Sequence, residues 1–165
     1  MDKTAIEHWS PVIGGQFWWS GVIFALIFVP LMIFVGGRLT SKQRDMVIYG
    51  MGIYQLGNKI LSQVGHLLSD NYILASNLPL HLCGLSGILA GIVVFYRKQM
   101  LFESLYFFGL VGFIHSVLTP EFTGGTSTWK IFDYYVGHSM LIIIPVWLMK
   151  YYDYRLRPNS WWTSF

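Results

Sequence analysis

The sequence predicts an all-α fold, a polytopic bundle of about five membrane-spanning helices, on three observations. Of its 165 residues, 54% are hydrophobic and 12% charged, too few polar side chains to coat a soluble globule of this size. Five stretches approach the roughly 20 mostly apolar residues that a spanning helix needs, with short connections between them. The basic residues gather in alternate connections, as they do in chains threaded through a bilayer.

The stretches are Phe17–Val35, Met46–Leu68, Leu78–Tyr96, Leu101–Thr119 and Trp129–Leu148, read as a single transmembrane domain over residues 1–165. An acidic, aromatic leader with Asp2, Glu7 and Trp9 precedes the first. That span is too long and wrongly flanked for a cleaved signal peptide, so it is expected to be retained. Pro79 stands at the entry of the third helix, where a missing N–H is harmless, and Pro120 ends the fourth. Gly84, Gly87 and Gly91 on the third helix and Gly109 and Gly112 on the fourth would let neighbouring backbones approach closely. The pairs Trp18 and Trp19, Tyr151 and Tyr152, and Trp161 and Trp162 fit interfacial belts.

Of the eleven Lys and Arg residues, Arg38, Lys42 and Arg44 follow the first span, Arg97 and Lys98 the third, and Lys150, Arg155 and Arg157 the fifth. These are expected to be cytoplasmic, which puts the N-terminus outside and the C-terminus inside a cell membrane. The opposite side has Lys3 and Lys130 mixed with Asp2, Glu7, Asp70 and Glu121. The net charge of +3 reflects this threading and anionic lipid headgroups, and no basic patch interleaved with aromatics points to nucleic acid. Membrane lipids are the expected partners. One cysteine, Cys83, excludes an intramolecular disulfide and a multi-cysteine metal site.

Within the second span Gln55, Lys59, Ser62 and His66 recur at helical spacing on one face, widened by Asn58. A charge at this depth costs several kcal/mol on insertion scales unless it meets a partner or water, so Lys59 should face the interior. Four of the five histidines lie within spans. His66, His81 and His115 fall within one or two turns of the outer boundary, and His138 somewhat deeper. Cys83, Glu121 and Asp133 share that half, while the cytoplasmic half looks nearly empty of intramembrane polar groups. The asymmetry predicts an outward-facing polar cavity. Blander readings stand beside it: a membrane histidine can simply hydrogen-bond across helices, a cysteine can be a small buried hydrophobe, and Lys59 can merely neutralise a carboxylate. On a regular helix His81 and Cys83 point about 200° apart, so both face one cavity only if the chain around Pro79 is irregular.

The run Leu78-Pro79-Leu80-His81-Leu82-Cys83 resembles the signature of the YwaF family, related to animal transmembrane protein 164. Tyr106-Phe107-Phe108-Gly109-Leu110-Val111-Gly112, Leu118-Thr119-Pro120-Glu121 and Tyr134-Tyr135-Val136-Gly137-His138 resemble the family's next two helices. The likeness covers roughly residues 20 to 150. It implies about two further helices after the fifth, where this sequence has Arg157-Pro158-Asn159-Ser160 and an aromatic tail, so a homo- or hetero-oligomer is expected to complete the bundle. It also implies a transfer of fatty acyl chains between phospholipids, with Cys83 as the acyl carrier and His138 assisting.

Two function classes follow. One is a membrane acyltransferase or lipid hydrolase with Cys83 as nucleophile, His138 as base, and His81 or His115 orienting the base or donating to the oxyanion. His115, His66, Lys59, Gln55 and Ser62 would then line the substrate site. The other is a non-catalytic membrane subunit whose polar stripe binds lipid, a metal or haem, or a partner's helices. No close pair of histidines supports the metal or haem variant, and no cofactor is expected. A transporter is disfavoured by five helices without a repeat.

Overall fold

A computed structural model describes residues 9–68, 82–122 and 127–163. Five long helices run through it: α1 (Gln16–Arg38), α2 (Ser41–Leu67), α3 (Leu82–Phe95), α4 (Gln99–Leu118) and α5 (Thr128–Tyr151). A single turn, α6 (Ser160–Thr163), follows. Among the described residues the only extended pairing is a bridge between Trp9 and Phe122. Three helices, α1, α4 and α5, are long and apolar enough to cross a membrane. α2 is longer, at 27 residues, but carries the polar stripe.

Local chemistry sets the helix ends. α2 begins five residues before the apolar run predicted at Met46, because Thr40 and Gln43 form a capping box. The Thr40 N–H donates to Gln43 Oε1 at 2.9 Å, and the Gln43 N–H reaches back to Thr40 Oγ1 at 3.4 Å. Two amides that the helix cannot satisfy are thereby used. Ser127 caps α5 by accepting from the Lys130 N–H. At the end of α1, Arg44 Nε donates to the Gly36 carbonyl at 2.8 Å, a cation on the negative end of the helix dipole.

α5 is the central helix, packed against α1, α2, α3 and α4. Its run from Ser139 to Pro145 is buried, with Trp147 and Leu148 fully so. The core joins it to Ile48 and Met51 of α2, Ala90, Val93 and Val94 of α3, and Phe102 and Leu105 of α4. α1 is peripheral. It buries Gly21, Ala25 and Gly36 and leaves Ile23, Leu26, Ile27, Leu31 and Phe34 exposed, an apolar face that lipid would cover.

Small residues set the seams. A Cβ on Gly109 would stand 2.5 Å from the Leu141 carbonyl oxygen, so α4 and α5 approach backbone to backbone. The seam is antiparallel and keeps register, since Tyr134 donates to the Ser116 carbonyl at 3.3 Å two turns further along.

The basic loops meet at one end of the bundle, where a group of polar side chains is tied together. Arg97 pairs with Asp45 at 3.6 Å and lies 4.3 Å over the Tyr152 ring. Tyr152 donates to Asp45 at 2.5 Å, and Tyr151 donates to the Ile33 carbonyl. Burial first, and the Asp45 hydrogen bond second, push the Tyr152 phenol up to about 12. This end also corrects an expectation. It holds the fully buried carboxylate of Glu103, which accepts from Arg157 at 2.7 Å and from Gln99 at 2.8 Å. Glu103 lies only a turn into α4, and the sequence did not separate it from the solvated charges around it.

Candidate functional site

The site is assembled from the opposite half, where α2, α3, α4 and α5 meet. Cys83 sits in the first turn of α3, half buried, its Sγ 3.9 Å from the Gly112 carbonyl of α4. The sulfur would lie 3.6 Å from a Cβ on Gly112, so the glycine makes room for it. Lys59 comes from α2. A Cβ on Gly87 would stand 2.7 Å from Lys59 Cε and 3.5 Å from its Nζ, which lays the lysine stem across α3 one turn from Cys83. Lys59 and Cys83 lie within electrostatic reach of one another.

The depth of this group follows from the helix registers. Asp45 and Arg97 pair at the basic end, and Lys59 and Cys83 each lie fourteen residues further along their segments. At 1.5 Å per residue that is about 20 Å, well past the middle of a hydrocarbon core of about 30 Å. The group therefore belongs to the half away from the basic loops.

α5 contributes three elements. Asp133 accepts from the Tyr54 hydroxyl and, at 2.9 Å, from Asn58 Nδ2, which ties α5 to α2. The Gly137 carbonyl accepts from the buried Gln55 amide at 2.8 Å. His138 hydrogen-bonds through Nδ1 to the Tyr134 carbonyl at 2.7 Å and stacks on the Tyr134 ring at 4.1 Å. A carbonyl only accepts, so Nδ1 carries the proton and, in the neutral ring, Nε2 keeps the basic lone pair. Tyr134 lies within electrostatic reach of Cys83. The antiparallel register that pairs Ser116 with Tyr134 and Gly109 with Leu141 brings His138 to the level of Gly112, where the Cys83 sulfur sits.

Cys83, His138, Lys59 and Gln55 are thus gathered in one region. Ser62 is exposed on α2. His115 is exposed on α4, in a shallow groove with Val111, Ile114, Leu118 and Thr119. His81 and the His66 side chain lie outside the described residues. Among the described residues no three of His, Cys, Asp and Glu gather as metal ligands.

One participant escaped the sequence reading: Tyr54, which donates to Asp133, a member of the polar half that is an interhelical acceptor. The α2 stripe was drawn through Gln55 and Lys59 and widened only to Asn58. Tyr54 lies four residues before Asn58, so extending the same helical spacing would have found it.

Five long helices, three of them able to span a bilayer, around a half-buried cysteine, histidine and lysine define a helical membrane protein with a polar intramembrane cluster. The chain belongs to the TMEM164 family, whose family model matches residues 6–165. Comparison with curated proteins finds no match, and comparison with solved structures finds none.

Proposed function

We propose that this protein is a thiol-dependent lipid acyltransferase or acyl hydrolase acting in the leaflet away from the basic loops, in an outward-facing polar site. The observation that carries the reading is the shared neighbour: Tyr134 stacks on His138 and lies within electrostatic reach of Cys83. The family resemblance assigns the same two residues.

The chemistry balances on these groups. Cys83 passes its proton to His138 Nε2, and the thiolate attacks the ester carbonyl carbon of a phospholipid. The tetrahedral intermediate collapses, the carbon–oxygen bond of the ester breaks, and the departing alkoxide takes the proton from the imidazolium. Cys83 holds the acyl group as a thioester. An acceptor alcohol, or water, then gives its proton to His138 and attacks the thioester, which restores the thiol. Gln55 borders the acyl site. Ser62 and His115 act only where the lipid itself passes over the outer faces of α2 and α4. The test is labelling of the purified protein with a thiol-directed lipid probe. Wild type should form the adduct, Cys83→Ala should form none, and His138→Ala should slow it by about 100-fold or more. Labelling that ignores Cys83, or that His138→Ala leaves unchanged, sinks the catalytic reading.

The exposure of Ser62 and His115 favours a second reading, a non-catalytic subunit of the cell membrane whose outer polar groups meet lipid headgroups or a partner's helices. Under it Cys83 is packing, and co-purification of a second chain, rather than probe labelling, is the expected result.

A further inference from the structure

We propose that Lys59 is the charge partner of Cys83: its ammonium group, laid across α3 at Gly87, stabilises the thiolate that attacks the acyl ester. The role rests on the cysteine reading above and deepens it. Lys59 is a positioning residue acting through the sulfur.

The geometry carries the assignment. Gly87 follows Cys83 by one helical turn, so the two share a face of α3, and that face meets α2 at Lys59. The close approach exists because residue 87 lacks a side chain, since a Cβ would stand 2.7 Å from Lys59 Cε. Gln55 flanks the lysine one turn away. Its Nε2 is held by the Gly137 carbonyl at 2.8 Å, and its Oε1 would lie 3.7 Å from a Cβ on Gly87, which turns the acceptor end of the amide to the lysine's side.

Charge balance explains why a lysine belongs here. A cation inside a membrane is costly unless it meets negative charge or water. Among the described residues the carboxylate in reach of Lys59 is Asp133, which accepts hydrogen bonds from Tyr54 and Asn58. It acts on Lys59 through space while those two donors hold it against α2. When the Cys83 proton moves to His138, a thiolate and an imidazolium appear. Lys59 places a second positive charge within electrostatic reach of that thiolate. Without Lys59 the thiolate would form with only the imidazolium to offset it, in a medium where charges are weakly screened. Among the described residues the titratable groups in electrostatic reach of this pair are Asp133, beside Lys59, and Tyr134, beside Cys83, with Glu121 in turn in reach of Tyr134.

Cys83 is the single cysteine of the chain, so a thiol reagent reads it alone. The purified protein in lipid nanodiscs is treated at fixed pH with two methanethiosulfonate reagents of similar size, the anionic sulfonatoethyl and the cationic trimethylammonioethyl compound. The quantity read is the ratio of their rates. Loosening of the fold changes both rates together and largely cancels, whereas the local charge does not. Wild type should favour the anionic reagent. Lys59→Met should lower the ratio by about tenfold, as loss of a close unit charge at partial screening implies, and Lys59→Arg should restore it to within about threefold. Gly87→Ala, which displaces the lysine while keeping its charge, should lower the ratio as well, and supplies the result if Lys59→Met does not fold.

A ratio unchanged in both Lys59→Met and Gly87→Ala overturns the proposal. So does a wild-type Cys83 that neither reagent modifies, a result that removes the catalytic reading with it. The two readings otherwise separate: Cys83-dependent lipid labelling with an insensitive ratio keeps the enzyme and discards Lys59's role. A sensitive ratio without lipid labelling keeps the charge pair and discards the enzyme.

Discussion

The two ends of the bundle solve the problem of polar groups in opposite ways. At the basic end both carboxylates of the clasp are locked by partners in hydrogen-bond or ion-pair contact: Asp45 by Arg97 and Tyr152, Glu103 by Arg157 and Gln99. At the other end Asp133 is satisfied by neutral donors, and Cys83 has a sulfur contact of 3.9 Å to a carbonyl. Lys59 meets both through space. Tight pairing makes a clasp and leaves nothing to react. Looser pairing leaves a thiol and a cation able to change partners. Low local satisfaction marks the region suited to chemistry.

Four substitutions break or sharpen this contrast, from the largest effect to the smallest. Arg157→Met should be the most damaging to stability, because it strands the fully buried Glu103 carboxylate. Glu103→Gln should cost less, since the Arg157 side chain is 54% exposed and water can take it over. Thermal unfolding in detergent measures both, and equal losses would deny that the buried partner sets the cost. The folded fraction of either variant should still label at Cys83.

Gly109→Ala should cost about 1–3 kcal/mol, because the new methyl meets the Leu141 carbonyl and backbone cannot step aside as a side chain does. It should also impair labelling, since this seam sets the register that levels His138 with Cys83. Full labelling at reduced stability would uncouple the seam from the site.

Tyr152→Phe should have the smallest effect at neutral pH and a clearer one in alkali. The folded phenol titrates at about 12 against about 10 unfolded, so its contribution is fully present below pH 10 and is lost as pH rises through 12. A wild-type unfolding curve that steepens across that window, and a Tyr152→Phe curve that does not, is the expected pair. Curves that run parallel there would refute the Asp45 clasp.

Much of the fold was legible because hydrophobicity over about 20 residues is a one-dimensional signal. The apolar runs of α1, α4 and α5 lie within a few residues of the helices observed. α2 was misjudged at its start, where capping by Thr40 and Gln43 carried the helix into polar sequence. The site was legible as residue types on a face. Gln55 and Lys59 point inward as their spacing required, but Ser62 on the same stripe is exposed, because the helices that cover α2 near Lys59 do not cover it a turn later.

The sequence by itself determined the solvent, the helices and which residues could do chemistry, since each depends on composition or on neighbours along one helix. Only the tertiary structure decided that Lys59 crosses α3 at Gly87, that Asp133 belongs to Tyr54 and Asn58, and that the Cys83 sulfur packs on Gly112. Those outcomes depend on how two helices are rotated and slid against each other. Rotation and register are settled by glycines meeting a partner's bulk across a seam, which no single helix's pattern contains.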